Sequence, residues 1–404
     1  MTHDSAFSTP MMQQYLELKS KYPDCLLWFR LGDFYEMFLE QAEIGSKVLG
    51  ITLTARARGK DGRVPMAGIP YHAANAYLGK LIKAGYKVAI CEQVSLPTGK
   101  GLVDRKVVRI VTPSTFLDEQ FLTAKENNYV VLFLLKGNRL GIAVADASTG
   151  EMKAGEELLT ADQTVTELIK NHLQRFKPSE CLLDQALTQY LDELQQSSSQ
   201  NCLFTTPTPD QWKKWLSATS KALRHQPAAK KVSTCASLAA GILSQYVTYT
   251  QHVPTSELFQ LQPLKSKQYL TLDRSTVINL EIFSTLYEKN STGSLLAILD
   301  ETVTPMGGRL LRQLLHEPYA DKEIITQRLD RVQWFLNHPE PRSQLKHYLK
   351  QLYDLQRLQT KFNFQLGTPK DLLALAVSLE NGLAALKILP PTTLNHYLHP
   401  SVTT

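Results

Sequence analysis

Two residues one position apart stand out chemically: Phe34 and Glu36, in the pentapeptide Gly32-Asp33-Phe34-Tyr35-Glu36. They belong to the run LLWFRLGDFYEMF, in which two apolar, aromatic-rich stretches flank Leu31-Gly32-Asp33. Gly beside Asp tolerates the positive φ of a tight hairpin turn. Side chains alternate along a strand, so Phe34 and Glu36 are expected on one face beside the turn. A ring packs and a carboxylate accepts hydrogen bonds, and strand faces normally sort the two apart. Taken alone, the pair reads as a core aromatic and a solvated charge.

Basic residues offer a second chemistry. Arg56, Arg58, Lys60 and Arg63 outweigh Asp61, and Lys100, Arg105, Lys106 and Arg109 outweigh Asp104. Singly, such clusters are solvated loop charges; together they could hold a polyanion. Over the whole chain 44 Lys and Arg oppose 38 Asp and Glu, a net charge of +6. The five cysteines, Cys25, Cys91, Cys181, Cys202 and Cys235, are scattered and form no C-x-x-C pair. That pattern points to neither a disulfide framework nor a zinc site. No run approaches the ~18 apolar residues of a membrane span, so no membrane association and a cytoplasmic location are expected.

The elements that must position these residues are legible in outline. With 404 residues and 43% hydrophobic composition the chain suits two to four domains. Thr9-Pro10 opens a helix as N-cap and first turn. After the Leu26 hairpin, Gln41 to Leu49 predicts a helix stopped by Gly50, and Ile51 to Thr54 a short strand. Pro65 to Ala73, with two prolines, predicts a fixed, non-helical approach to a helix starting at Ala74. Strands are expected at Lys87 to Gln93 and Arg105 to Thr112. A second α/β unit follows: an apolar hairpin around Gly137-Asn138, a helix at Thr164 to Phe176 and a strand at Cys181 to Asp184. Beyond about Cys235 the chain turns mainly helical. Helices are expected at Cys235 to Tyr249, Thr276 to Tyr287, Met306 to Leu315, Ala320 to Leu336, Leu345 to Phe362 and Pro369 to Ile388, with a strand-like Tyr269 to Asp273 between the first two.

Five N-terminal segments carry a resemblance: Thr9 to Tyr15 (TPMMQQY), Gly32 to Glu36 (GDFYE), Pro65 to His72 (PMAGIPYH), Ala89 to Gln93 (AICEQ) and Lys106 to Pro113 (KVVRIVTP). With Ala239 to Leu243 (AAGIL), Leu280 to Ile282 (LEI), Thr302 to Gly307 (TVTPMG) and Asp354 to Arg357 (DLQR), they are similar to the MutS family of bacterial DNA mismatch-repair proteins, in family order. The resemblance implies a mixed-sheet α/β mismatch-binding domain at 1–115, a ribonuclease-H-like α/β connector at 125–250 and part of an all-α core and lever at 251–404. It also implies that Phe34 wedges beside a mispaired base from the minor groove and that Glu36 contacts that base. Arg56, Arg58, Lys60, Arg63, Arg105 and Arg109 would hold the DNA backbone, while Pro65 and Met66 line the groove. Implied partners are mismatched double-stranded DNA, a second copy in the full-length protein, and a repair protein at the connector.

The departures narrow this expectation. Full-length members use ATP and magnesium, but no G-x-x-x-x-G-K-[S/T] occurs here: Gly59-Lys60, Gly79-Lys80 and Gly99-Lys100 are followed by Asp61, Leu81 and Gly101. The expectation is therefore a chain with no catalytic residues and no cofactor of its own, ending inside a domain. Ser114 also replaces the glycine the family usually has after Thr-Pro. Two alternatives remain: an ATPase-less DNA-binding adaptor, and a ribonuclease-H-like nuclease using Asp146 and Asp184 at strand ends, for which no third acidic partner is evident.

Overall fold

A computed structural model describes residues 9–57, 63–94, 103–160, 163–197, 202–222, 232–255, 258–264, 269–270 and 272–389. Thr9 caps α1 (Pro10–Lys21), its Oγ1 accepting the Met12 N–H. Then come β1 (Cys25–Leu31), β2 (Phe34–Phe38), α2 (Glu40–Leu49), β3 (Thr54–Ala57), β4 (Arg63–Pro70), α3 (Ala74–Lys83), β5 (Lys87–Gln93) and β6 (Arg105–Val111). They form a six-stranded mixed sheet in the order β3-β4-β2-β1-β5-β6.

Gly32, at φ +58°, makes the β1–β2 turn, and Gly50, at φ +67°, ends α2, as the sequence predicts. Two expectations shift. The strand expected at Ile51 to Thr54 begins only at Thr54, and the proline-rich approach is itself a strand, β4, paired antiparallel with both β2 and β3. Proline costs a strand only the N–H, and Pro70 stands at the strand's last position.

The second unit contains β7 (Tyr129–Lys136), β8 (Arg139–Asp146), β9 (Glu151–Leu158), α4 (Val165–Phe176), β10 (Glu180–Leu183), α5 (Leu191–Ser197), β11 (Leu203–Thr205), α6 (Pro209–Ala222), α7 (Thr234–Gln251) and β12 (Gln260–Pro263). Its sheet order is β11-β10-β7-β8-β9-β12, with β7, β8 and β9 antiparallel and β10 and β11 running parallel to β7. This is the arrangement expected of a ribonuclease-H-like connector. Both faces of the sheet are covered. Leu168, Ile169 and Leu173 of α4 pack on Val131, Phe133 and Ile142, and Ala239, Ile242 and Leu243 of α7 pack on Leu132, Ala143 and Met152. The segment Ala239 to Leu243 lies in α7, on the second sheet.

The remainder is helical: α8 (Arg274–Asn279), α9 (Leu295–Leu299), α10 (Pro305–His316), α11 (Lys322–Asn337), α12 (Pro339–Leu349), α13 (Leu355–Asn363) and α14 (Pro369–Ile388). The helix expected through Tyr287 stops at Asn279, and Glu281 takes a left-handed φ of +47°. The single helix expected from Leu345 to Phe362 is two, because the Asp354 side chain accepts the Arg357 N–H and starts a new one. Tyr269 forms only an isolated bridge to Tyr319.

Polar contacts join the units. Glu180 is fully buried and accepts from Ser114 Oγ at 2.6 Å, Thr205 Oγ1 at 2.7 Å and Tyr246 Oη at 2.5 Å, with Lys87 Nζ at 3.9 Å. Ser114, the departure from the family pattern, thereby links the first sheet's exit to the second unit. Burial opposes the Lys87 charge, but Glu180 and Asp24 outweigh it and raise its pKa. Further on, Arg309 donates to the Ala124 carbonyl and Arg357 to those of Thr123 and Glu126, while Lys125 pairs with Asp300 at 2.9 Å.

Candidate nucleic-acid interface

The first sheet has two unlike faces. On one, Trp28, Tyr35, Met37, Ala67 and Ile69 pack beneath α2 and α3, against Leu78 and Leu81 of α3. On the other, α1 covers the middle. The Tyr15 ring meets Phe29 edge-on at 5.6 Å and Phe38 at 5.0 Å, and its hydroxyl donates to Gln41 Oε1 at 3.0 Å. Burial pushes the Tyr15 hydroxyl up to about 12, opposed by the Phe38 N–H, which donates to its oxygen.

The tip of β2 extends beyond α1. There Phe34 is 46% exposed whereas Tyr35, Met37 and Phe38 are buried. Phe34 faces Pro70 across the strand pair and Glu36 faces Gly68, so all four share one face. A Cβ built on Gly68 would lie 3.4 Å from Glu36 Cγ and 3.8 Å from Phe34 Cδ1. Gly68 therefore leaves a shallow notch between ring and carboxylate, and the two sequence-predicted residues stand together.

The other predicted residues scatter. Met66 lies on the same face as Glu36, two positions past Gly68, half-buried against the α1 side. Pro65 alternates to the opposite face, and Arg63 is exposed at the far end of β4. Arg56 lies in β3 opposite Val64; Arg58, Lys60 and Lys100 lie outside the described residues.

Arg105 and Arg109 differ from the expectation. Arg105 is 8% exposed, and its guanidinium donates to the Arg30 carbonyl at 2.7 Å, the Val103 carbonyl at 2.9 Å and Gln14 Oε1 at 3.0 Å. Those donors are used within the fold. Arg109 is half-buried with Tyr35 and Asp118 as electrostatic neighbours, and burial lowers its pKa. A bulge between Ile90 and Cys91 shifts the β5–β6 register between these two arginines.

Sequence reasoning missed the group behind the tip. Arg30, Tyr35, Tyr71 and Glu92 cluster there, with the Tyr35 hydroxyl hydrogen-bonded to Glu92. The available signal was a lone arginine inside the apolar strand LLWFRL.

The carboxylates of the nuclease alternative do not meet. Asp146 pairs with Tyr129 at the start of β7, whereas Asp184 accepts the Leu135 N–H near its end. At about 3.3 Å per residue, six residues separate them by roughly 20 Å, too far to share paired metals about 4 Å apart. Asp146 is fully buried and is occupied by Asn127 Nδ2, the Asn128 N–H, and the N–H and hydroxyl of Ser148. Among the described residues no three His, Cys, Asp or Glu side chains are grouped to hold a metal.

Comparison with known proteins follows the same division. Residues 9–120 match the model of MutS domain I, 120–259 that of MutS domain II and 275–398 that of MutS domain III. Curated relatives named DNA mismatch repair protein MutS include those of Caldanaerobacter subterraneus subsp. tengcongensis, 40% identical over 382 residues, and Desulforamulus reducens, 40% over 380. That of Alkaliphilus oremlandii is 38% identical over 387 residues. Each alignment covers 92% of this chain and 43% of the relative, so the chain spans less than half the length of these proteins. Three consecutive domain matches and the similarity over 92% of the chain to these relatives place the chain in the MutS family, of which it carries domains I, II and III.

Proposed function

We propose that this chain recognises mismatched double-stranded DNA, with Phe34 as a wedge entering the minor groove and Glu36 contacting the displaced base. The observation that carries this reading is the exposed Phe34 ring beside Glu36 over the Gly68 notch, at the β1–β2 turn that α1 leaves open. An apolar side chain pushed between base pairs unstacks them and kinks the duplex, at a cost of about a few kcal/mol per step. A mispaired step is already poorly stacked, so the penalty is smaller and discrimination follows from deformability.

Glu36 complements this in two ways. Its oxygens accept a hydrogen bond from the displaced base or share a proton with it. Its charge also repels phosphates, which weakens binding to ordinary duplex and so widens the difference between the two. Met66, on the same face, lines the groove, with Pro65 behind it on β4. Arg56, Arg58, Lys60 and Arg63 are assigned to the phosphate backbone, which they would hold without reading sequence. Arg105 and Arg109 are left out of that set because their surroundings are internal.

On this reading the chain works in a cytoplasmic repair protein that pairs with a second copy and meets a repair partner through the connector. Among the described residues no helix is long and apolar enough to cross a membrane. The chain's residues do not fit the ATP and magnesium used by full-length members, because no phosphate loop occurs in the sequence. No nucleotide step is assigned to it. The test is binding to a G·T duplex and to its matched counterpart at one fixed salt concentration. Wild type should favour the mismatch and Phe34→Ala should bind both alike; equal preference in the two proteins would remove the wedge.

A further inference from the structure

We infer that Arg30 is a positioning residue for Phe34, an inference that rests on the mismatch reading above. Arg30 lies on β1 opposite Tyr35, on the face turned away from Phe34. Its guanidinium makes three kinds of contact at once. Nε donates to the Gly32 carbonyl inside the turn. The guanidinium carbon stands 3.8 Å from the centroid of the Tyr71 ring and 5.5 Å from that of Tyr35. Nη1 lies 3.7 Å from the Glu92 carboxylate on β5, which also receives the Tyr35 hydroxyl.

Tyr71 completes the bracket. It directly follows β4, and its N–H donates to the Asp33 carbonyl at 2.9 Å. One planar cation therefore ties the turn preceding Phe34 to the strand end beside it, and both to the next strand. Among the described residues, a Cβ placed on Gly32 would meet nothing within 4 Å. Lysine cannot reproduce this role: a point charge on a flexible stem does not stack flat on one ring while donating in plane to a carbonyl.

The consequence falls on selectivity. A wedge already held in its bound direction loses less freedom on insertion than one on a loose tip. Phosphate attraction depends on charge and not on that order.

The test uses the full 404-residue chain, titrated into labelled G·T and matched duplexes at fixed salt, with thermal unfolding measured alongside. Arg30→Lys keeps the charge and is expected to reduce the mismatch-to-matched affinity ratio by roughly five- to tenfold, the size of a lost stack and hydrogen bond. Matched-duplex affinity and its salt dependence should stay unchanged. Tyr71→Leu removes the other half of the stack at a 45% exposed position and should lower the ratio in the same direction. In a Phe34→Ala background, Arg30→Lys should leave both affinities where Phe34→Ala alone put them. The inference is overturned if Phe34→Ala loses the preference while Arg30→Lys and Tyr71→Leu keep it. It is equally overturned if Arg30→Lys weakens binding further without Phe34. Should Arg30→Lys fail to fold, Tyr71→Leu decides. A preference that survives Phe34→Ala removes the wedge reading itself, and this inference with it.

Discussion

The two sheets of this chain are treated differently by the helices around them. The second is closed: α4 seals one face and α7 the other, and its strand-end carboxylate Asp146 is wholly consumed by internal donors. The first is sealed beneath by α2 and α3, but α1 stops short of the β1–β2 turn and leaves Phe34 exposed, with the half-buried Glu36 and the Gly68 notch beside it. Carboxylates and rings occur on both sheets, and at the turn of the first an exposed Phe34 stands beside a half-buried Glu36. What stands open on a sheet is thus set by where the covering helix ends, not by which residue types the strands contain.

This contrast can be broken or sharpened by experiment. The largest stability effect should come from the closed sheet: Leu132→Ala, at a fully buried site, is expected to cost about 2–5 kcal/mol in denaturant unfolding. The folded fraction should keep its mismatch preference. Phe34→Ala should do the reverse, abolishing that preference while changing stability by only about 0.5 kcal/mol, as exposed positions do. A large stability loss there would mean that the tip belongs to the core. Gly241→Ala on α7 is next, since its Cβ would come within 2.0 Å of Thr219 Cγ2; overpacking should cost about 1–3 kcal/mol, read as a lowered unfolding midpoint.

A pH effect of similar or smaller size is expected from His316, stacked on Phe283 at 3.9 Å. Burial, followed by the nearby charges of Lys177, Arg312 and Arg175, holds its pKa down at about 3 against the usual 6.5. The folded chain then binds fewer protons than the unfolded one between those values, so stability declines as pH falls below 6.5. Between pH 7 and 5 this residue should account for about 1–2 kcal/mol, and His316→Phe should flatten that part of the profile. The smallest stability change belongs to Gly68→Ala, whose methyl would rest in ordinary contact with Glu36 and Phe34. Unfolding should move by less than about 0.5 kcal/mol, while partial filling of the notch lowers the mismatch preference measurably.

Much of the first sheet was legible because its signals are local. Thr9-Pro10 at the start of α1, Gly32 in the turn and Gly50 after α2 act within a few residues, and each stands where the sequence predicts. The same holds for the β7–β8 hairpin. What was not legible depends on distant partners. Asp354 starts a new helix after α12 has ended at Leu349, and its carboxylate also binds Arg309; no periodicity in Leu345 to Phe362 reports that bond. The direction of Arg105 and Arg109 was hidden for a similar reason. A charge run gives no information on which side of a strand each residue faces, and a bulge between Ile90 and Cys91 breaks the simple alternation from Arg105 to Arg109. Arg30 was visible as a charge in an apolar run, but its partners Tyr71 and Glu92 are 41 and 62 residues away by their numbers.

The arginine contacts to the segment between the two sheets have a temporal consequence. The carbonyls of Thr123 and Glu126 accept from Arg357, 234 and 231 residues further along, and that of Ala124 from Arg309, 185 residues on. On a ribosome the chain emerges from its N-terminus, so both sheets are complete before either arginine has been made. The segment 123–126 is therefore fastened late, by residues that arrive only with the helical region, whereas the Ser114–Glu180 contact between the sheets needs none of them.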